Sequence, residues 1–512
     1  DDFEVYEDGE RMELTNFYAV SHGQRVPDVA EGETPPLPQP GAALGRSREQ
    51  RLHLVVLIDS AHLQPGDRRR TLGLLADRLG AMLRPDDRAM LAVLEPDLRI
   101  LRRMNPELGP TVTALAEISR AAPGSVGLEL RRQQVLGLIN ADAATPTTNN
   151  ALGGDVTRLQ AARAALQHVR SYAAEADAYN RRALVGLEDL VSSLAGLDGR
   201  KAVLYVSSGF DQRPAEPLFD YWERVFGDVM NDPTIQYTTS SLEANAWDLR
   251  YELSRLVATA SANSVAFYAF DAGGFAAVAP AERGAGSIDS DLVRSTADDE
   301  PLLYMAAATG GTAVLSANDP AELLARIEDD YDDYYSLGYT SPRSRDGQRH
   351  QIEVRIPGHD FRIRHPKVYE GKSTEQRMTE RTVSALLLDA TDNPLDVTVK
   401  LGRQEREGRR WVIPVLVKVP FDKLVLVPRG NTHQGKVSIY LVVRDEAGRM
   451  SPPRRFEIPV EVPTARLAEA RSKFFGYGVN LEVRQGSGRL AIGVRDEVAA
   501  VASTVNVPIS AG

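Results

Sequence analysis

The stretch Leu54-Val55-Val56-Leu57-Ile58-Asp59-Ser60 decides the fold of this chain. Its five consecutive apolar residues predict a strand that is buried on both faces, which is typical of the middle of a parallel sheet. The strand ends in a carboxylate and a hydroxyl. Because ligands of open α/β sheets bind just beyond the carboxyl ends of such strands, we expect Asp59 to lie at a functional edge of the sheet.

The pattern that follows this strand extends the prediction to a whole domain. Between residues 51 and 333, strand-like runs alternate with segments of helical spacing, which indicates a mostly parallel sheet with helices on both faces. The runs 88–95 and 98–102 are separated only by a short turn, so they predict a hairpin and one antiparallel edge strand. The segment 103–200 is too long for one crossover and predicts a helical insertion.

Strands are predicted on the N-terminal side of this domain and directly after it. Residues 1–20 alternate at period two, and a Pro/Gly-rich linker occupies 21–50. Residues 334–370 alternate again. We expect the strands of 1–20 and 334–370 to pair as one small β-sandwich, with the α/β domain inserted between them.

The C-terminal part of the chain is predicted to be a separate all-β domain. After a linker at 371–379, residues 380–512 contain strand-like runs, the first at 382–388, with turn signals at the spacing of an immunoglobulin-like β-sandwich.

Composition excludes several classes of function. The formal net charge of −11 repels phosphate backbones, so no nucleic-acid partner is expected. The absence of cysteine excludes disulfides, thiolate metal sites and a cysteine nucleophile. No apolar run has the length of a membrane span. The chain begins at Asp1 rather than at a methionine, and we expect a processed product whose signal peptide has been removed.

A set of short motifs resembles the von Willebrand factor A-related proteins of the acidobacterial type. The motifs occur in the family's order over residues 1–370, which makes the resemblance specific. They are DFEVYEDG at 2–9, the first strand through Asp59, GRKAVLYVSSG at 199–209, ANSVAFYAFD at 262–271, TGG at 309–311 and YYSLGYT at 334–340, followed by Asp346, Gly347 and His350. Residues 380–512 resemble a generic immunoglobulin-like domain.

The resemblance implies a Rossmann-like von Willebrand A domain that is exported to the periplasm or cell surface and binds proteins. In better-known A domains, binding depends on a metal-ion-dependent adhesion site. That site uses an Asp-x-Ser-x-Ser loop after the first strand, a threonine from a second loop and an aspartate after the fourth strand. The corresponding positions here are Asp59, Ala61, Leu63, Thr147 or Thr148, and Ser207 or Ser208.

This mapping implies a degenerate metal site. Ala61 and Leu63 replace two hydroxyl ligands by alkyl groups, which removes oxygens that a divalent cation needs. A weakly bound Mg²⁺ or Ca²⁺ is the single cofactor that we consider, and its remaining oxygen donors are Asp59, Ser60, Thr148, Ser207 and Ser208. The candidate contacts for a protein partner are Asp59, His62, Ser208 and Asp211.

We therefore expect a non-catalytic, extracytoplasmic protein-binding or adhesion module. One alternative is a structural subunit of a surface or envelope assembly that associates through sandwich edges. A second alternative is a serine hydrolase that uses Ser207 or Ser208, although the chain contains no Gly-x-Ser-x-Gly elbow.

Overall fold

A computed structural model describes most of the chain. It covers residues 2–21, 24–26, 51–63, 65–95, 97–120, 127–144, 154–229, 240–272, 299–315, 319–359, 361, 363–408 and 410–512. The linker predicted at 21–50 lies outside the described residues except for Ser21 and residues 24–26.

The chain divides into two compact units, each assembled from more than one segment. Unit 1 consists of Asp1–Ser192, Gly199–Pro342 and Arg349–Glu370. Unit 2 consists of Ser193–Asp198, Arg343–Gln348 and Gly371–Gly512.

Unit 1 contains strands and helices in alternation. Its strands are β1 (Glu4–Glu7), β2 (Glu10–Met12), β3 (Leu14–Ser21), β4 (Gln24–Arg25), β5 (Leu52–Asp59), β6 (Arg88–Glu95), β7 (Asp97–Asn105), β8 (Arg200–Ser207), β9 (Val265–Asp271), β10 (Ala313–Val314), β11 (Tyr334–Tyr339), β12 (Arg349–Arg355) and β13 (Val368–Glu370). Its helices are α1 (Pro65–Met82), α2 (Gly109–Arg120), α3 (Leu128–Ala143), α4 (Gly154–Leu194), α5 (Glu216–Val225), α6 (Ser240–Asn245), α7 (Arg250–Ala262), α8 (Glu300–Thr309) and α9 (Ala321–Asp332).

The described strands β5 to β10 form a six-stranded sheet in the order β10-β9-β8-β5-β6-β7. All neighbours are parallel except β6 and β7, which form the antiparallel hairpin predicted from the sequence. The mostly parallel α/β architecture is therefore confirmed. Every residue of β5 is buried, as the apolar run predicts. Leu54 and Ile58 share a core cluster with Leu72 and Leu79 of α1.

The predicted insertion at 103–200 contains α2, α3 and the 41-residue helix α4. A second core cluster joins α3 and α4 to α5, and its centre includes the fully buried Trp222. The indole Nε1–H of Trp222 donates a hydrogen bond to the carbonyl of Ala162 at 2.8 Å. This core packs α4 against α3 and α5.

The strands that precede and follow the α/β region pair with each other in two small sheets. β1 pairs antiparallel with β12, with Glu4 opposite Arg355 and Glu7 opposite Ile352. The sheet order is β13-β12-β1-β2, and β11-β3-β4 forms a second, three-stranded sheet.

Unit 2 contains mainly antiparallel strands. Its elements are α10 (Thr374–Leu388), β14 (Thr398–Leu401), β15 (Glu405–Glu407), β16 (Arg410–Pro420), β17 (Val427–Arg429), β18 (Thr432–Asp445), β19 (Arg454–Pro463), α11 (Leu467–Ala470), β20 (Phe474–Val483), β21 (Gly486–Asp496) and β22 (Val501–Ala511). One sheet has β14 and β15 on one side of β16 and β20 on the other. The other has the order β17-β18-β21-β22, with β19 also paired to β18.

The strand predicted at 382–388 is wrong, because these residues belong to helix α10, which also occupies most of the linker predicted at 371–379. A capping box begins the helix: Ser373 accepts a hydrogen bond from the amide of Gln376, whose side chain accepts one from the amide of Ser373. Apolar residues of α10 then pack on the sheet of β18, since Leu386 contacts the cluster that contains Val442.

Candidate functional site

Asp59 lies at the carboxyl end of β5, beside the end of β8. From these two central strands the chain moves outward in opposite directions, to β6 on one side and to β9 on the other. The register aligns Ile58 with Val206, so Asp59 and Ser207 end their strands at the same level. A reversal of this kind opens a crevice at the strand ends, where open α/β sheets bind ligands.

The carboxylate of Asp59 is a buried acceptor of three hydrogen bonds. Its side chain is 1% exposed. Oδ2 accepts hydrogen bonds from Tyr205 Oη at 2.6 Å, His62 Nδ1 at 2.7 Å and Ser207 Oγ at 3.2 Å. Tyr205 and Ser207 reach the same atom because alternate residues of a strand point to the same face.

These contacts set the ionisation of the cluster. Burial opposes ionisation of Asp59, but the charge of His62 and the hydrogen bonds from His62, Tyr205 and Ser207 outweigh it, so the pKa of Asp59 is lowered. Burial and the negative charge of Asp59 raise the pKa of Tyr205 well above 10, so Tyr205 stays a neutral donor. His62 Nδ1 is thus one of the three donors that stabilise the buried carboxylate.

Three side-chain oxygens near this cluster have no hydrogen-bond partner within the described chain. They are Asp59 Oδ1, Ser60 Oγ and Ser208 Oγ, and each is buried. Ser207 differs, since its Oγ also accepts a hydrogen bond from the amide of Gly209 at 3.1 Å. That bond needs a left-handed turn, which Gly209 provides at φ +83°. Buried polar atoms without partners are rare in native proteins and indicate a place where a water or ligand atom binds.

The described residues do not fit a resident divalent cation. Mg²⁺ and Ca²⁺ are held by carboxylate and carbonyl oxygens together with water, whereas the unpartnered oxygens here are one carboxylate oxygen and two hydroxyls. Ala61 and Leu63, at the positions of two ligands in better-known A domains, are buried alkyl side chains. No group of three acidic or histidine side chains that could hold a metal occurs in the described parts of the chain. Thr147 and Thr148 lie outside them.

A small pocket of about 40 Å³ adjoins His62, with room for water-sized groups. Ser208 and Asp211 line it from the loop after β8, Arg132 from α3 and Asn180 from α4. Asn180 is only 4% exposed, and its Oδ1 has no hydrogen-bond partner in the described structure. The pocket therefore brings two unpartnered polar atoms, Asn180 Oδ1 and Ser208 Oγ, to one concave surface.

The structure places three of the four candidate contact residues in the lining of the pocket and the fourth outside it. His62, Ser208 and Asp211 line the pocket, whereas Asp59 does not and reaches it only through His62. Their roles in binding stay predictions. Sequence reasoning missed Tyr205 and Asn180. The period of two along β8 could have indicated Tyr205 from Ser207, but no local signal marks Asn180, whose position depends on how α4 packs.

Neither a family model nor a curated protein matches this chain. Two solved structures share short regions with it. One is a Northeast Structural Genomics Consortium target, 10% identical, with a TM-score of 0.16 over 22% of this chain and 83% of the other. The second is a protein from Archaeoglobus fulgidus, 9% identical, with a TM-score of 0.14 over 24% of this chain and 98% of the other. Likenesses of this size carry no argument about fold or function.

No helix in the described residues is both long and apolar enough to cross a bilayer.

Proposed function

We propose that the α/β region of unit 1 is a von Willebrand A-type domain that binds a protein partner at the pocket beside His62 without a resident metal ion. The observation that carries the proposal is the position of the Asp59 cluster and its pocket at the reversal of strand order between β5 and β8. The mostly parallel sheet with one antiparallel edge strand supports it, because the sequence resemblance implies this architecture.

Hydrogen bonding of the Asp59 carboxylate to three protein donors is the reason to propose binding without a metal. A cation at a strand end neutralises buried carboxylate charge and offers an open coordination position to the partner. Here His62, Tyr205 and Ser207 already donate hydrogen bonds to Oδ2 of Asp59. The pocket surface presents the polar side chains of Ser208, Asp211 and Asn180 to a partner. We place this module outside the cytoplasm, as the resemblance implies.

Photocrosslinking tests the proposal. A benzophenone side chain replaces Asp211 at the pocket and, in a matched control, Glu353 on the exposed face of β12 in the same unit. With extract of the native cell envelope, we expect an adduct from position 211 that is absent from position 353. Excess unlabelled chain should compete for it, and EDTA should leave it unchanged.

Two results would contradict this function. Equal adducts at both positions would show that the pocket has no special role in binding. An adduct that EDTA abolishes and Mg²⁺ restores would show that binding depends on a metal.

Serine hydrolysis is the second candidate function. The Asp59–His62 hydrogen bond at 2.7 Å resembles the carboxylate–imidazole half of a catalytic triad, and Ser208 lines the same pocket as His62. Against it, Ser208 Oγ has no hydrogen-bond partner in the described structure, so no base activates it there. A fluorophosphonate probe that labels the chain but not its Ser208→Ala variant would establish hydrolase chemistry, and absence of labelling would exclude it.

A further inference from the structure

Unit 2 contains one long edge strand whose backbone is open along its length. β20 pairs with β16 from Phe474 opposite Pro420 to Val483 opposite Trp411, and it pairs with no other described strand. An antiparallel edge strand directs alternate N–H and C=O groups outward, where another strand can pair with them.

The other two long edges of unit 2 are protected. Along β22, the amide of Thr504 donates to the carbonyl of Asp392 at 2.6 Å, and the amide of Leu395 donates to Ser503 Oγ at 2.9 Å. The segment around Asp392 therefore covers part of this edge. β19 carries two prolines and several charged residues, which oppose pairing with a further strand.

β20 has none of these protective features over most of its length. From Phe474 to Leu481 it contains neither a charged residue nor a proline. Two of its exposed residues are glycines, and a Cβ built on Gly478 would meet no atom within 4 Å. The edge is thus uncharged over these eight residues, in contrast to the way natural sheets usually end, and the outer face of the sheet is unobstructed at Gly478.

We propose that β20 joins two copies of this chain, which pair antiparallel about a two-fold axis through Gly478. Such an axis makes the contact self-complementary, since each copy offers the same strand. It also places residues of the same face opposite each other. Gly478 then faces its own counterpart, Tyr477 faces Val479, and Phe475 faces Leu481. The proposal is independent of the binding function proposed for unit 1.

The inward row of β20 favours this register. Phe475, Tyr477, Val479 and Leu481 are only partly buried at the margin of the unit 2 core. In the paired arrangement, each of them lies opposite an apolar residue of the second copy, so that apolar surface at the edge of the core leaves water.

Charges on the outward row are complementary in the same register. Lys418 lies next to Gly476 on the neighbouring strand, and its ammonium is 5.9 Å from the ring centroid of Phe474. It forms no ion pair with the described residues. Because Gly476 has no side chain, Lys418 can extend across it toward Glu482 of the second copy, which faces Phe474. Glu482 already forms an ion pair with Arg410 of its own copy at 2.6 Å, so Lys418 would be a second cation beside the same carboxylate. The two-fold axis repeats this arrangement, so each Glu482 carboxylate lies between Arg410 of its own copy and Lys418 of the other copy.

Sedimentation velocity of the full chain over a concentration series tests the proposal. A ten-residue edge is a small interface, so we expect a monomer–dimer equilibrium with a dissociation constant of roughly 10 to 100 µM. Gly478→Lys places two ammonium groups face to face on the axis and should weaken association by about tenfold or more. Gly478→Ser is the matched control, which should associate like the original chain. Circular dichroism verifies that both variants fold.

Exchanging charged residues tests the proposed register, independently of whether β20 is the strand that pairs. Lys418→Glu puts like charges together and should weaken association by roughly threefold to tenfold. Combining it with Glu482→Lys and Arg410→Glu exchanges the signs of the whole set and should restore most of the loss.

Three results would overturn the proposal. The first is an unmodified chain that stays monomeric throughout the concentration series. The second is a dimer that neither Gly478→Lys nor Lys418→Glu affects. The third is a chain whose β20 amides become protected from hydrogen exchange only when a different protein is added, because strand addition by another partner would then explain the open edge.

Discussion

The end of β5 in unit 1 and the edge of β20 in unit 2 present opposite kinds of unsatisfied polar group. β5 has hydrogen-bonded strands on both sides, so its backbone is paired and the atoms without partners are side-chain oxygens such as Asp59 Oδ1. β20 is paired on one side only, and its free groups belong to the backbone.

This difference follows from sheet topology. A parallel sheet between helices has no accessible faces, and its chemistry is therefore confined to the strand ends, where side chain identity matters. An antiparallel sandwich offers edges, where backbone groups are the same for every sequence and selectivity comes from what blocks or permits approach. Substitutions should accordingly act through lost hydrogen bonds at Asp59 and through steric access or charge at β20.

The largest expected effect comes from Asp59→Ala. Removing the carboxylate leaves the donors of His62, Tyr205 and Ser207 without their shared acceptor in a buried site, and we expect unit 1 to lose about 3 to 5 kcal/mol of unfolding free energy. Urea unfolding followed by tryptophan fluorescence measures this loss. In a Trp411→Phe background the remaining tryptophans, Trp222 and Trp247, both belong to unit 1 and report on that unit alone.

Asp211→Asn in the same background is the control for Asp59→Ala. Asp211 lines the pocket without belonging to the buried cluster, so its loss should change stability by less than about 0.5 kcal/mol. Equal losses for the two variants would contradict a special role of the buried carboxylate.

Acid should reduce the difference in unfolding free energy between the original chain and the Asp59→Asn variant. The pKa of Asp59 is lower in the folded protein than its ordinary value of 3.8. The stabilisation from its ionised form is therefore complete above pH 3.8 and is lost as the pH falls through the lower, folded-state pKa. Urea unfolding of both proteins between neutral pH and acid pH measures this, and a difference that stays constant into acid would show that the charge of Asp59 contributes nothing.

Tyr205→Phe should have an intermediate effect. It removes one hydrogen bond to an ionised acceptor and should lower the stability of unit 1 by about 2 kcal/mol. Tyr179→Phe is the matched comparison, because the hydroxyl of Tyr179 donates to the neutral carbonyl of Leu94 at 3.3 Å. That variant should lose only about 1 kcal/mol. A larger loss for Tyr179→Phe would show that the charge on the acceptor is not what matters at Asp59.

Local patterns predict the α/β part of the fold and the position of Asp59. The apolar run of β5, the short turn between β6 and β7 and the polar residues at the strand ends are all contiguous in sequence. Asn180 could not be predicted in the same way, because its place at the pocket depends on the packing of α4 against the core around Trp222.

Helix α10 shows how a local signal can be read wrongly. Its apolar residues from Val383 to Leu388 resemble a strand when they are read alone, whereas the capping box at Ser373 and Gln376 indicates a helix start. The position of β20 at the edge of its sheet could not be predicted for a different reason. It depends on pairing with β16, which precedes it by about 60 residues, and no periodicity within β20 indicates on which side it is paired.

The smallest expected effect distinguishes the open edge from the interior of the same unit. Gly478→Thr should raise the stability of unit 2 by about 0.5 to 1 kcal/mol, because a β-branched residue replaces a flexible one where its Cβ has open space. Gly493→Ala in β21 should do the reverse and destabilise by about 1 to 3 kcal/mol, since its Cβ would lie 2.3 Å from Thr382 Oγ1 of α10. Hydrogen exchange of the β16 amides, measured by mass spectrometry, reports on both variants. If Gly478→Thr destabilised unit 2 as much as Gly493→Ala, the face of β20 at Gly478 would be covered rather than open to solvent.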